Sequence, residues 1–176
     1  MKMIHSPLFR RIQLQLLMNL TARALGERPV RLWTHSNAEA LRLYAAFTAQ
    51  HLHDGADEVR LQRMNNEALK MGRLLRRVFW IGSRSRAQRL VVALYRNIGI
   101  QVSFTADDRL CFNRCYFSSC YTPAACRAAS MLDDGIIRGI TRQPACHLSF
   151  AQRITEGCSC CEASLRKTTH KQDICP

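Results

Sequence analysis

The apolar residues of this chain change period from near four to two close to residue 99. Leu61, Met64, Ala68, Met71, Leu75 and Val78 recur in steps of three and four, as in a helix that buries one face. Ile100, Val102 and Phe104 instead alternate by two, as in a half-buried strand. Helices gathered before the change and strands after it make the expected class α+β, a helical layer followed by a small antiparallel sheet.

Four helices are expected in the first part. Ser6 followed by Pro7 starts one that carries Leu8, Ile12, Leu16 and Leu20 up to a left-handed stop at Gly26. Ser36 with Glu39 forms a capping box for a second, through Leu41, Tyr44, Phe47 and Leu52 to the turn at Asp54 and Gly55. The third is the five-turn stripe already named, whose Met64 and Met71 read as core and whose other faces carry Arg60, Arg63, Lys70, Arg73, Arg76 and Arg77. A fourth begins at Ser83 or Ser85, turning Leu90, Val91, Leu94, Tyr95 and Ile98 inward and leaving Arg84, Arg86, Arg89 and Arg96 to water.

After the period change the expected order is β-β-α-β-β. Leu110 and Phe112 return as a partner strand, and Thr122 and Pro123 start a short helix that Gly135 weakens and Gly139 ends. Leu148 and Phe150 mark a third strand, and Cys161, Ala163 and Leu165 a fourth. Residues 1–166 read as a single compact domain, with a helical part over 1–98 and a cysteine-rich part over 99–166; residues 167–176 read as a flexible tail. A chain of 176 residues buries roughly 70% of its unfolded surface, which suffices for one core.

All nine cysteines lie at or after position 111. The opening MKMIHSPLFRRIQLQLL lacks a continuous apolar run, being broken by Arg10, Arg11, Gln13 and Gln15, and no stretch is long and apolar enough to span a membrane. The expected setting is therefore the reducing cytoplasm, without membrane partners, where clustered cysteines serve as metal ligands, nucleophiles or small core residues. Zinc prefers C-x₂₋₄-C pairs; Cys111-x₃-Cys115, Cys115-x₄-Cys120 and Cys158-x-Cys160 contain no C-x₂-C knuckle. On a regular strand Cys111 and Cys115 share a face roughly 13 Å apart, too far for one ion. No metal ligands or cofactor are assigned, and an iron–sulfur or zinc redox module stands as an alternative.

A net charge of +13 favours a negatively charged partner. One version is nucleic acid on the arginine-rich helices. Against it, no helix-turn-helix spacing, zinc finger or interleaved aromatic accompanies the charge, and a solvated helix face is the plainer reading.

A nucleophilic cysteine needs a base and a cation. His147 beside Cys146, Arg153, Glu156 and the Asp133–Asp134 pair supply the residue types. Each also has an ordinary structural use, and the cysteines serve equally as small packing residues in a ligand-binding domain.

Cys115 with Tyr116, then Cys126 at a helix start, an acidic residue late in that helix (Asp133 or Asp134), and the closing spacing of Arg153, Gly157 and Cys161 resemble the L-2-amino-thiazoline-4-carboxylic acid hydrolase-like family. The likeness covers about residues 102–165. It implies hydrolytic opening of a small cyclic, sulfur-containing amino-acid derivative at a C=N or C–S bond. The expected function is a small-molecule-binding or hydrolytic protein with a thiol-lined pocket and a small anionic substrate. Candidate catalytic residues are Cys115, Cys126, Asp133, His147 and Cys161, and candidate substrate-binding residues are Arg153 and Glu156. Cys115 or Cys161 is the candidate nucleophile, Asp133 or His147 the proton acceptor, and Arg153 the carboxylate anchor.

Overall fold

The computed structural model describes residues 4, 6–107 and 109–167. Its helices are α1 (Pro7–Leu25), α2 (Asn37–His51), α3 (Glu58–Val78), α4 (Arg84–Asn97) and α5 (Pro123–Thr141); its strands are β1 (Ile100–Phe104), β2 (Leu110–Cys115), β3 (Cys146–Gln152) and β4 (Cys161–Lys167). The fold is α+β, as the period change requires. Lys167 closes β4 and so belongs to the sheet; the rest of the expected tail, with Cys175, lies outside the described residues.

Each helix starts at a side chain that satisfies an otherwise orphaned backbone N–H. Ser6, Ser36, Asp57, Ser83 and Thr122 accept from the N–H of Phe9, Glu39, Arg60, Arg86 and Ala125 respectively, each cap stabilising by about 1 kcal/mol. Gly26 ends α1 with φ 79°. Gln13 and Gln15, which interrupt the apolar opening, are buried and fully used. Gln13 donates to Leu94 O at 2.8 Å and accepts from Asn97, tying α1 to α4, while Gln15 holds the backbone of Val30 and Leu32.

The expected short helix is 19 residues long, and Gly135 and Gly139 neither weaken nor end it. Both are buried at its contact with α3, where they leave no side chain between the two backbones. A Cβ at Gly139 would lie 2.7 Å from both Arg73 N and Leu69 O, and Gly72 of α3 meets the backbone of Ile136 from the other side. Packing gained at this approach outweighs the helix propensity that glycine forfeits. Gly135 faces residues 65–69 and Gly139 faces residues 69–73, so the two helices run parallel.

The sheet is antiparallel in the order β1-β2-β4-β3, with α4 and α5 packed on it. Gln101 pairs with Arg114 but Val102 pairs with Phe112, so Asn113 is an extra residue in β2. The bulge reverses the alternation. Leu110 and Phe112 are buried, Arg114 is exposed, and Cys115 packs against the core. Cys111 and Cys115 therefore do not share a face, in contrast to the expectation for a regular strand.

Asp134 anchors the sheet to the helices. It accepts from Leu148 N at 2.6 Å and from Asn65 Nδ2, and its other near contact is Arg138 at 3.0 Å. Arg138 also donates to Pro144 O and Cys146 O, fixing the turn that leads into β3. Among the described residues no helix is long and apolar enough to cross a membrane.

Candidate active site

Beneath the sheet, all five helices and three strands contribute to one cavity of about 90 Å³. Its lining is mostly apolar: Leu17, Met71, Leu75, Leu94, Leu132 and Ile136 are among the contributors. Into this surface project Cys115 from the end of β2, Cys126 and Asp133 from α5, and Cys161 from the start of β4. Cys126 and Asp133 are seven apart, two helical turns, and so lie on one face of α5. Cys115 reaches the cavity because the Asn113 bulge turned it inward.

Asp133 is half-buried and lines the cavity. Its Oδ1 accepts a hydrogen bond from Tyr95 Oη at 2.7 Å. Loss of water around the carboxyl raises its pKa from 3.8 to about 6; the Tyr95 hydrogen bond and the Arg153 charge pull it down, and Asp134 pushes it up. Asp134, next in sequence, points the other way and is consumed by Asn65, Leu148 and Arg138. One aspartate works in the fold and the other stands in the cavity.

Cys115 and Cys161 are held in their protonated form. Burial pushes Cys115 up to about 12 and raises Cys161 as well, and the negative charge of Asp133 adds to both. The Ile154 N–H donates to Cys161 Sγ at 3.2 Å, which opposes part of that rise. Neither thiol carries appreciable thiolate at neutral pH without a base beside it.

Arg153 stands beside the cavity, its guanidinium 4.0 Å above the Phe150 ring and its Nη2 donating to Ser130 Oγ at 3.3 Å. The next residues, Ile154 and Thr155, line the cavity. Thr155 Oγ1 is buried with no hydrogen-bond partner among the described residues. A polar atom left in this condition costs about 1–3 kcal/mol, a cost that a ligand or water removes.

His147 and Glu156 are not brought to this cavity. His147 is exposed on β3, opposite Arg166 of β4, because the alternation that buries Leu148 sends it outward. Glu156 pairs with Arg127 at the surface at 2.6 Å. Of the additional thiols, Cys120 is exposed, and Cys111 interacts with Cys160 and Glu162 on the outer face of the sheet. All eight described cysteines are free. Among the described residues no group of three or more His, Cys, Asp or Glu is placed to hold a metal ion.

Tyr95 and Thr155 are the functional candidates that the sequence did not single out. Tyr95 was recognisable as an inward-facing helical residue, and a buried phenol needs an acceptor; that need was the available signal. Tyr44 and Tyr121 also line the cavity and satisfy their hydroxyls on Thr21 and Thr48. No family model, curated protein or solved structure matches the chain.

Proposed function

We propose that the protein binds a small anionic ring compound at this cavity and opens it by hydrolysis, with Asp133 as the proton-transfer group. The observation that carries the reading is the Asp133 carboxyl, hydrogen-bonded by Tyr95 inside an apolar cavity that also gathers Cys115, Cys126 and Cys161. A carboxyl that titrates near 6 both accepts and returns a proton close to neutral pH, as general acid–base work requires. The resemblance to the L-2-amino-thiazoline-4-carboxylic acid hydrolase-like family supports the substrate class.

In this reading Asp133 takes a proton from water as its oxygen bonds to the carbon of a ring C=N group. Asp133 returns that proton to the ring nitrogen, and the adduct then collapses to a carbonyl: its hydroxyl proton passes through Asp133 to the departing nitrogen or sulfur as the ring C–N or C–S bond breaks. One water is consumed and no oxidant or reductant is needed. Arg153 faces the substrate carboxylate, and Thr155 Oγ1 offers an unpaired polar contact. An apolar cavity of ~150 Å³ holds benzene; at about 90 Å³ this one receives the reacting edge of a ring and leaves its carboxylate at the rim. The raised pKa values of Cys115 and Cys161 favour water over these two thiols as nucleophile and assign both to shaping the cavity.

The test is to incubate the protein with L-2-amino-thiazoline-4-carboxylate and follow ring opening by ¹³C NMR. Ring-opened product from the native chain, at least about 100-fold less from Asp133→Asn, supports the proposal. Absence of product together with unchanged resonances of the cavity residues overturns it.

A further inference from the structure

Helix α3 ends in an arrangement that does not suit the residue placed there. Ile81 N donates to Arg76 O at 3.0 Å and Trp80 N to Arg77 O at 3.1 Å, the paired bonds that close a helix through one left-handed residue. That residue is Trp80, with φ 50°. Helix α1 closes through the same pair of bonds with Gly26, which bears no Cβ and adopts this conformation freely. Trp80 gains nothing from burial in exchange, because it is 86% exposed. Neither backbone preference nor packing accounts for an indole at this position.

The ring stands on a cleft of about 690 Å³ whose polar lining is strongly basic: Arg73, Arg76 and Arg77 of α3, and Arg138 and Arg142 at the end of α5. The close, parallel approach of the two helices at Gly72 and Gly139 sets these arginines on one rim. Arg138 is committed to Asp134, and Arg76 donates to Ile140 O at 2.6 Å. Arg73, Arg77 and Arg142 have no acidic partner among the described residues, and no acidic residue lines the cleft. Cations also suit helix C-termini, but two termini supply about one negative charge between them. Three uncommitted guanidiniums exceed that, so the cleft stays positive.

We propose that this cleft binds single-stranded nucleic acid, with a base stacked on Trp80 and neighbouring phosphates held by Arg73, Arg77 and Arg142. An exposed ring beside guanidiniums matches a base beside its phosphates, and unpaired bases present the free π-face that stacking needs. The net charge of +13 favours a polyanionic strand over a single anion. The cleft is separate from the Asp133 cavity, so this inference stands or falls independently of the hydrolytic reading.

The experiment is fluorescence anisotropy of a labelled oligothymidylate of about 15 nucleotides, titrated with the full chain between 50 and 200 mM salt. Neutralising three phosphates on a single strand gives a slope of about −2 for log K against log salt. Trp80→Gly is expected to weaken binding by about 10-fold or more with the slope unchanged, while its thermal midpoint equals or exceeds the parent's. Arg77→Gln and Arg142→Gln are each expected to bring the slope closer to zero by about 0.7. Undetectable binding at 50 mM salt overturns the proposal. So does binding that these variants leave unchanged, equal affinity for heparin, or equal affinity for thymidine monophosphate, which would reassign the cleft to bare charge or to a free nucleotide.

Discussion

Tyr95 Oη lies 2.7 Å from Asp133 Oδ1, and this bond joins a phenol of α4 to a carboxyl of α5 inside the apolar cavity. It favours the ionised carboxyl against the burial that favours the protonated one. Tyr95→Phe removes the only opposing hydrogen bond from that balance, so the Asp133 pKa is expected to rise further above 6. A ¹³C NMR titration of the aspartate carboxyls reads this directly. An unchanged midpoint would mean that the phenol does not set the proton affinity of the site.

Asp133 and Asp134 are predicted to respond to the same substitution with opposite signs. The folded-state pKa of Asp133 is raised from 3.8 to about 6, so its contribution to stability is complete below about pH 4 and lost as pH rises through 6. The interval of about two pH units corresponds to at most roughly 3 kcal/mol. Asp133→Asn should flatten this loss and raise the thermal midpoint at pH 8. Asp134→Asn leaves Arg138 buried without its charge partner, and should cost roughly 3 kcal/mol or more at the same pH. Calorimetry at pH 5 and pH 8 distinguishes the pair; a fall in both variants at pH 8 would contradict the assignment.

Cys115 should resist alkylation. With its thiol pushed up to about 12 and packed against the core, it is expected to react with iodoacetamide at least about 100-fold more slowly than a free thiol at pH 7.5. Exposed Cys120 should be modified well before it. Timed labelling with mass mapping gives the order, and Cys115 reacting faster than a free thiol would restore it as the nucleophile.

The glycines of the α3–α5 contact set the spacing of the helices. Gly139→Ala adds a Cβ against the backbone of Arg73 and Leu69. The overpacking cost of about 1–3 kcal/mol exceeds the gain in helix propensity of up to about 1 kcal/mol. The expected result in thermal denaturation is a midpoint lowered by several degrees. A rise instead would show that the contact yields easily.

Much of this architecture is written locally, and the rest depends on partners distant in the chain. Ser6, Gly26, Ser36 and Ser83 mark helix ends through bonds made within a few residues, so their positions were readable. Gly135 was misleading because its role lies 66 or more residues away on α3, where no local pattern records it. Cys115, Cys126, Asp133 and Cys161, named through the family resemblance, line one cavity, whereas strand alternation and a surface ion pair hold His147 and Glu156 away from it. Trp80 was passed over among the arginines of α3 because it follows the helix, and only the left-handed turn places it on their rim.

The extra residue at Asn113 gives the cavity a dependence on counting. On either side of it the sequence keeps its chemistry, but the number of residues between Phe112 and Cys115 decides which of them face inward. Were β2 to pair regularly, with Asn113 retained but not bulged, the same residues would carry the Cys115 thiol to the face shared by Cys111 and turn Arg114 inward. The composition of this site therefore depends on where the ladder sets its unpaired residue as well as on which side chains the strand carries.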